Sequence, residues 1–144
     1  MFIDALLRVC SAQAFTAAAV STSSIDLGNV TPKRQIGTGE PMIFGISIDV
    51  LLNATSMLVE VISATDAALT AGILVHNSRT ILAADATAGA LLSIDVPDGT
   101  PTQRFLGLRV TPTGGAATVT LTAQLMPANL WSIGSTNYAK NFNV

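Results

Sequence analysis

The side chains able to do chemistry are few, and their types and spacing decide what they can do. Cys10 is the one cysteine and His76 the one histidine in 144 residues. A thiol nucleophile needs a neighbouring base and a third group to orient that base. A structural zinc site needs several Cys or His ligands together. One residue of each kind excludes an intrachain disulfide and any zinc site built on cysteine pairs. Cys10 reads as a small buried hydrophobe. His76, in Ile73-Leu74-Val75-His76-Asn77, reads as a strand-end or turn residue. No metal and no cofactor is expected.

The acids are Asp4, Asp26, Glu40, Asp49, Glu60, Asp66, Asp85, Asp95 and Asp98. Two carboxyl groups flanking a bond make a glycosidase, and Glu40, Asp49 and Glu60 are the ones on or beside early strands. A sugar site also calls for aromatic platforms, and only 5% of the residues are aromatic. The glycines of Ile36-Gly37-Thr38-Gly39-Glu40-Pro41 lack the third glycine and the Lys-Ser/Thr pair of a phosphate loop, so this segment reads as a turn. Neither Asp95-Val96-Pro97-Asp98-Gly99 nor Asp85-Ala86-Thr87 carries the alternating oxygen ligands of a calcium loop. The sequons at Asn29 and Asn53 read as incidental. No catalytic constellation assembles, and the expectation is a protein that is not an enzyme.

The elements that must position these residues are strands. Alternation of period two recurs along the chain. Met42, Phe44, Ile46, Ile48 and Val50 point one way from Pro41–Val50, with Ser47 and Asp49 on the other. Ser56–Ser63 is apolar on both faces. Ala71–His76 and Arg79–Ala83, divided by Asn77-Ser78, read as a hairpin or a loop and strand. Leu92, Ile94 and Val96 alternate with Leu91, Ser93 and Asp95; Leu106, Leu108 and Val110 form another inward row; Val119, Leu121, Ala123 and Leu125 oppose Thr118, Thr120, Thr122 and Gln124. About six to eight short strands broken by Gly and Pro turns predict an all-β fold, a jelly-roll-like β-sandwich with extended N- and C-terminal arms. Asp4–Arg8 and the Ala-rich stretch Asp66–Thr70 have the composition for a helical turn each, and neither changes the class. The chain divides into an N-terminal arm and first strand region (1–28), a sandwich core (29–126) and a C-terminal tail (127–144), a single domain overall.

Charged residues make up 11% of the chain, against about 25% in a typical soluble domain. Part of the surface is therefore expected to be covered by a partner. Seven scattered Lys and Arg against nine Asp and Glu give a net charge of -2, which leaves no basic stripe for nucleic acid. No apolar run approaches the roughly 18 residues of a membrane-spanning helix, so no membrane partner is expected. Asp4 in place of a basic n-region, and Arg8 inside the apolar stretch, argue that the start is retained rather than cleaved as a signal peptide. Both ends carry bulky apolar groups: Phe2, Ile3, Leu6 and Leu7 at the start, Trp131, Tyr138 and Phe142 at the finish. These are the candidate subunit or partner contacts, with Trp131 the favoured anchor.

Several segments in order, Ser21-Thr22-Ser23-Ser24-Ile25-Asp26-Leu27-Gly28, Ile36–Pro41, Val61-Ile62-Ser63-Ala64-Thr65-Asp66-Ala67-Ala68-Leu69 and Arg104-Phe105-Leu106-Gly107-Leu108, carry a resemblance. With Asp4–Leu7 and Gln13–Ala17, they resemble the small capsid cement, or decoration, proteins of tailed bacteriophages of the short-tailed Bordetella-phage type. The resemblance implies a jelly-roll subunit that forms a homo-dimer or homo-trimer on the outer surface of the virion head and bridges major capsid proteins. The alternative is a carbohydrate- or host-binding β-sandwich module of a virion, for which an exposed aromatic shelf is expected.

Overall fold

A computed structural model describes residues 6–29, 40–97 and 103–132. Among the described residues the chain forms β1 (Arg8–Phe15), β2 (Ala19–Val20), β3 (Ile25–Asp26), β4 (Met42–Asn53), β5 (Ser56–Ala64), β6 (Leu74–Leu82), β7 (Leu91–Val96), β8 (Phe105–Thr113), β9 (Thr118–Pro127) and the short helix α1 (Ala128–Ser132). One sheet (sheet A) runs β1-β9-β4-β7 and the other (sheet B) β2-β8-β5-β6, with β3 also on β8. The pairs are nested: β1 with β9, β2 and β3 with β8, β4 with β7, β5 with β6. One long antiparallel hairpin has been rolled into two facing sheets, which is the jelly-roll form of the β-sandwich.

Alternation decides which side chains enter the core. Phe44, Ile46 and Ile48 of β4, Met57, Val59 and Val61 of β5, Leu106, Leu108 and Val110 of β8, and Val119, Leu121, Ala123 and Leu125 of β9 meet between the sheets. Strand β5 is covered on both faces as its composition implies, because Ile62 and Ala64 face outward and are buried under Leu69 of the β5–β6 loop.

Three local expectations are corrected. Val50 lies exposed rather than inward, because the register slips between Ile48 and Val50; one extra residue sends the following side chain to the opposite face. Asn77-Ser78 does not divide a hairpin. Residues 74–82 form the single strand β6, at the edge of sheet B, where polar side chains cost nothing because they reach solvent or the neighbouring sheet. The N-terminal segment is a strand from Arg8 onward, while Leu6 and Leu7 lie in a turn. Two register shifts and a positive φ of 45° at Ala12 erase its period. Val9, Cys10 and Phe15 of this strand nonetheless belong to the main core.

Candidate docking surface

The residues singled out for chemistry are spread over the sandwich. Cys10 is buried on β1, where its thiol faces the Leu121 carbonyl, and burial pushes its pKa up to about 12. A thiol so held is not a nucleophile at neutral pH. His76 stands on β6, at the far edge of the other sheet, so no Cys-His dyad forms. Asp49 accepts a 2.7 Å bond from Thr122 on the outer face of sheet A. Glu60 lies on the outer face of sheet B, gripped by Arg109 through bonds of 2.6 and 3.0 Å. These two acids face away from each other across the sandwich, and Glu40 precedes β4, so none of the three pairs around a bond. Among the described residues no group of three or more His, Cys, Asp or Glu could hold a metal, and no helix is long and apolar enough to cross a membrane.

The described cations are largely spent inside the subunit. Arg109 holds Glu60, Arg104 holds Asp26 through bonds of 2.9 and 2.7 Å, and Arg79 donates to the Ser93 carbonyl at 2.6 Å. Arg104 also lies over the Phe105 ring, 4.9 Å from its centroid. Its pKa is raised, chiefly by the hydrogen bonds it donates to Asp26, and Arg109 is raised in the same way by those it donates to Glu60. Phe15 and Phe44 sit in the core.

Both open sides of the sandwich are laced by side chains. On one side the Gln13 amide donates to Val20 O and accepts from Thr22 N, each at 2.9 Å, and Ser23 N donates to Val9 O. On the other, Asn77 donates to Asp95 O and Arg79 to Ser93 O, occupying carbonyls of β7. Bonds of this kind block the edges against pairing with another chain.

The first and last described segments lie side by side. The Leu125 amide donates to the Leu7 carbonyl at 2.9 Å, so the chain enters the sandwich beside the strand by which it leaves. After β9 the Ala128 amide donates to Pro41 O, and α1 packs on the ends of β4 and β9. Leu7 is half-buried against the core, Leu6 is 87% exposed and Leu130 is 40% exposed. Trp131 falls on α1. Phe2, Ile3, Tyr138 and Phe142 lie outside the described residues, as does the side chain of Trp131.

Segments distant in sequence also converge on sheet B. Ser21–Leu27 runs along β8: Ser21 N donates to Leu108 O, Ile25 pairs with Leu106, and Leu27 N donates to Arg104 O. The Ser21 hydroxyl accepts from Leu108 N and donates to Ser23 O. Leu69 lies against Gly107, where a Cβ would run into Leu69 Cδ1 and Ser21 Oγ. Ser24 Oγ donates to Ala67 O and ties the β5–β6 loop to the same place. Three of the segments that carry the resemblance therefore form one packed unit.

Residues 9–129 match the model of the Bbp16 family. This chain belongs to the Bbp16 family. No curated protein matches the chain. The Bbp16 span runs from β1 into α1 and so takes in both sheets. It leaves out Phe2, Ile3, Leu6, Leu7, Trp131, Tyr138 and Phe142, whose candidacy rests on this chain's own apolar ends.

One pairing escaped the reading of the sequence. The Ser63 hydroxyl lies 2.7 Å from His76 Nε2 and accepts a 3.0 Å bond from the Gln103 amide. Ser63 is fully buried within β5, and nothing in the spacing of residues 63, 76 and 103 signals the contact, because a register shift between β5 and β6 creates it.

Proposed function

We propose that this chain is a structural cement protein, which oligomerises on the outer surface of a phage head and bridges major capsid protein subunits. The observation that carries the reading is the Bbp16 match across the whole sandwich. Two features of the subunit support it. Its charged groups are few, with Arg104 and Arg109 each closed on an acid of the same subunit, and Leu6, beside the strand by which the described chain leaves the sandwich, is open to solvent.

The mechanism is mechanical. Full burial of one leucine contributes about 1.5–3 kcal/mol, too little to hold a subunit alone. An oligomer engaging several symmetry-related sites converts later contacts into intramolecular ones, so modest contacts multiply. The free energy is gained only on the assembled shell, where it opposes the pressure of packaged DNA.

The test is co-sedimentation of the purified protein with emptied phage heads, beside analytical ultracentrifugation of the protein alone. Saturable binding at a fixed ratio to the major capsid protein is expected, with a dimer or trimer in solution. Leu6→Ser and Trp131→Ala are expected to keep a native β circular-dichroism spectrum and to lower occupancy. A monomer that stays in the supernatant would overturn the reading.

A further inference from the structure

His76 is the extra residue of a bulge: Val61 pairs with Asn77 and Ile62 with Val75, which leaves His76 opposite neither. The bulge turns the imidazole toward Ser63. The Ser63 oxygen already accepts from the Gln103 N–H, and its own proton, fully buried, needs an acceptor within reach. The atom at 2.7 Å is His76 Nε2. In the arrangement that satisfies this proton, the hydroxyl donates to Nε2 and the imidazole is neutral with its proton on Nδ1. An imidazolium would present a donor at Nε2, and the Ser63 proton would lose its acceptor inside the protein.

We propose that Ser63, His76 and the Gln103 amide form an acid-sensitive latch, which holds the start of β6 to β5 and to the chain entering β8, and which opens when His76 is protonated. Most of the charges on the surrounding described elements are engaged elsewhere. On β6, Arg79 donates to Ser93 O; on β5, Glu60 is held by Arg109 of β8; before β8, Arg104 is held by Asp26. In the β5–β6 loop Asp66 accepts from Thr70 and Ala71, and on β7 Asp95 contributes its backbone carbonyl to Asn77. None of these charges accounts for the shift of His76; burial holds its pKa below the usual 6.5. A depressed folded value means that the latch is fully closed above the unfolded value and is lost as pH falls through the folded one. The segments released are Leu74–His76 and the chain at Gln103, at one end of the sandwich.

His76 is the one histidine of the chain, so its imidazole nitrogen and carbon NMR signals need no assignment by mutation. The expected result is an Nδ1–H tautomer at about pH 7.5 and a titration midpoint below about 6.5. Amide hydrogen exchange, corrected for intrinsic rates, is expected to show protection at Gln103 falling at least about threefold from pH 7.5 to about pH 5. H76Q, whose side-chain oxygen can accept the Ser63 proton but does not titrate, is expected to abolish that fall. S63A is expected to raise the His76 midpoint, and this readout keeps the test open if H76Q does not fold. An Nε2–H tautomer, a midpoint at or above 6.5, or Gln103 protection as flat in the parent as in H76Q would overturn the latch. This inference stands apart from the capsid reading, since every measurement is made on the free protein.

Discussion

Glu60 shows how one side chain can be legible and still misread. It stands opposite Arg109 in the register of β5 and β8, with its side chain only 12% exposed. A carboxylate so placed is tolerable only while its partner stays. Arg109→Ala is expected to cost about 3 kcal/mol, because the unpaired charge remains in place. The pair Glu60→Leu with Arg109→Met is expected to recover most of that loss, since an apolar replacement leaves nothing unsatisfied. Urea denaturation midpoints of the single and double variants check both outcomes, and equal midpoints for all three would mean that the pair contributes nothing. The sequence names both residues, yet it offered Glu60 only as one of three candidate glycosidase acids and Arg109 only as one of seven scattered cations. Which acid meets which base depends on strand register, and two residues 49 apart in sequence carry no signal of that register.

At the scale of elements, strands with strict alternation were readable and irregular ones were not. β9 alternates Thr outward with Val and Leu inward, and its inward row lies in the core as read. β1 is equally a strand, but its two register shifts hide the period, and its contribution is visible only in Val9, Cys10 and Phe15 packed between the sheets. The β5–β6 loop is a further case, because Asp66 accepts bonds from Thr70 N, Thr70 Oγ1 and Ala71 N and thereby sets Leu69 over Gly107. The Thr70 hydroxyl leads the causes that hold the Asp66 carboxyl below its usual value of 3.8. Gly107→Ala is expected to destabilise by about 1–3 kcal/mol through overpacking. Adding Leu69→Ala is expected to leave the double variant less destabilised than the sum of the two single losses, because the new methyl group occupies part of the vacated space. Thermal unfolding of the two single variants and the double variant measures this, and strict additivity would mean that Leu69 and residue 107 do not share that space.

For the molecule as a whole, the low charge content has a consequence for docking. With Arg79, Arg104 and Arg109 engaged inside the subunit, the proposed capsid contact relies on apolar burial and geometry rather than on steering by these charges. Exposed ion pairs weaken steeply as the screening length contracts from about 10 Å at 0.1 M to about 3 Å at 1 M salt. Capsid occupancy is therefore expected to change less than about twofold between these two conditions. Quantitative co-sedimentation at both salt concentrations checks it, and a loss of tenfold or more would assign the contact to charges instead.

The residue order was enough for the all-β class, the inward row of β4 as far as Ile48, the inward rows of β8 and β9, the two apolar faces of β5, and the apolar character of both ends, because side-chain alternation and composition are local properties. Contacts between strands were settled only by the rolled hairpin. It placed Asp26 on Arg104, Glu60 on Arg109, Leu7 beside Leu125 and Ser63 against His76. Each of these joins residues from different elements, and a bulge of one residue redirects every side chain that follows it.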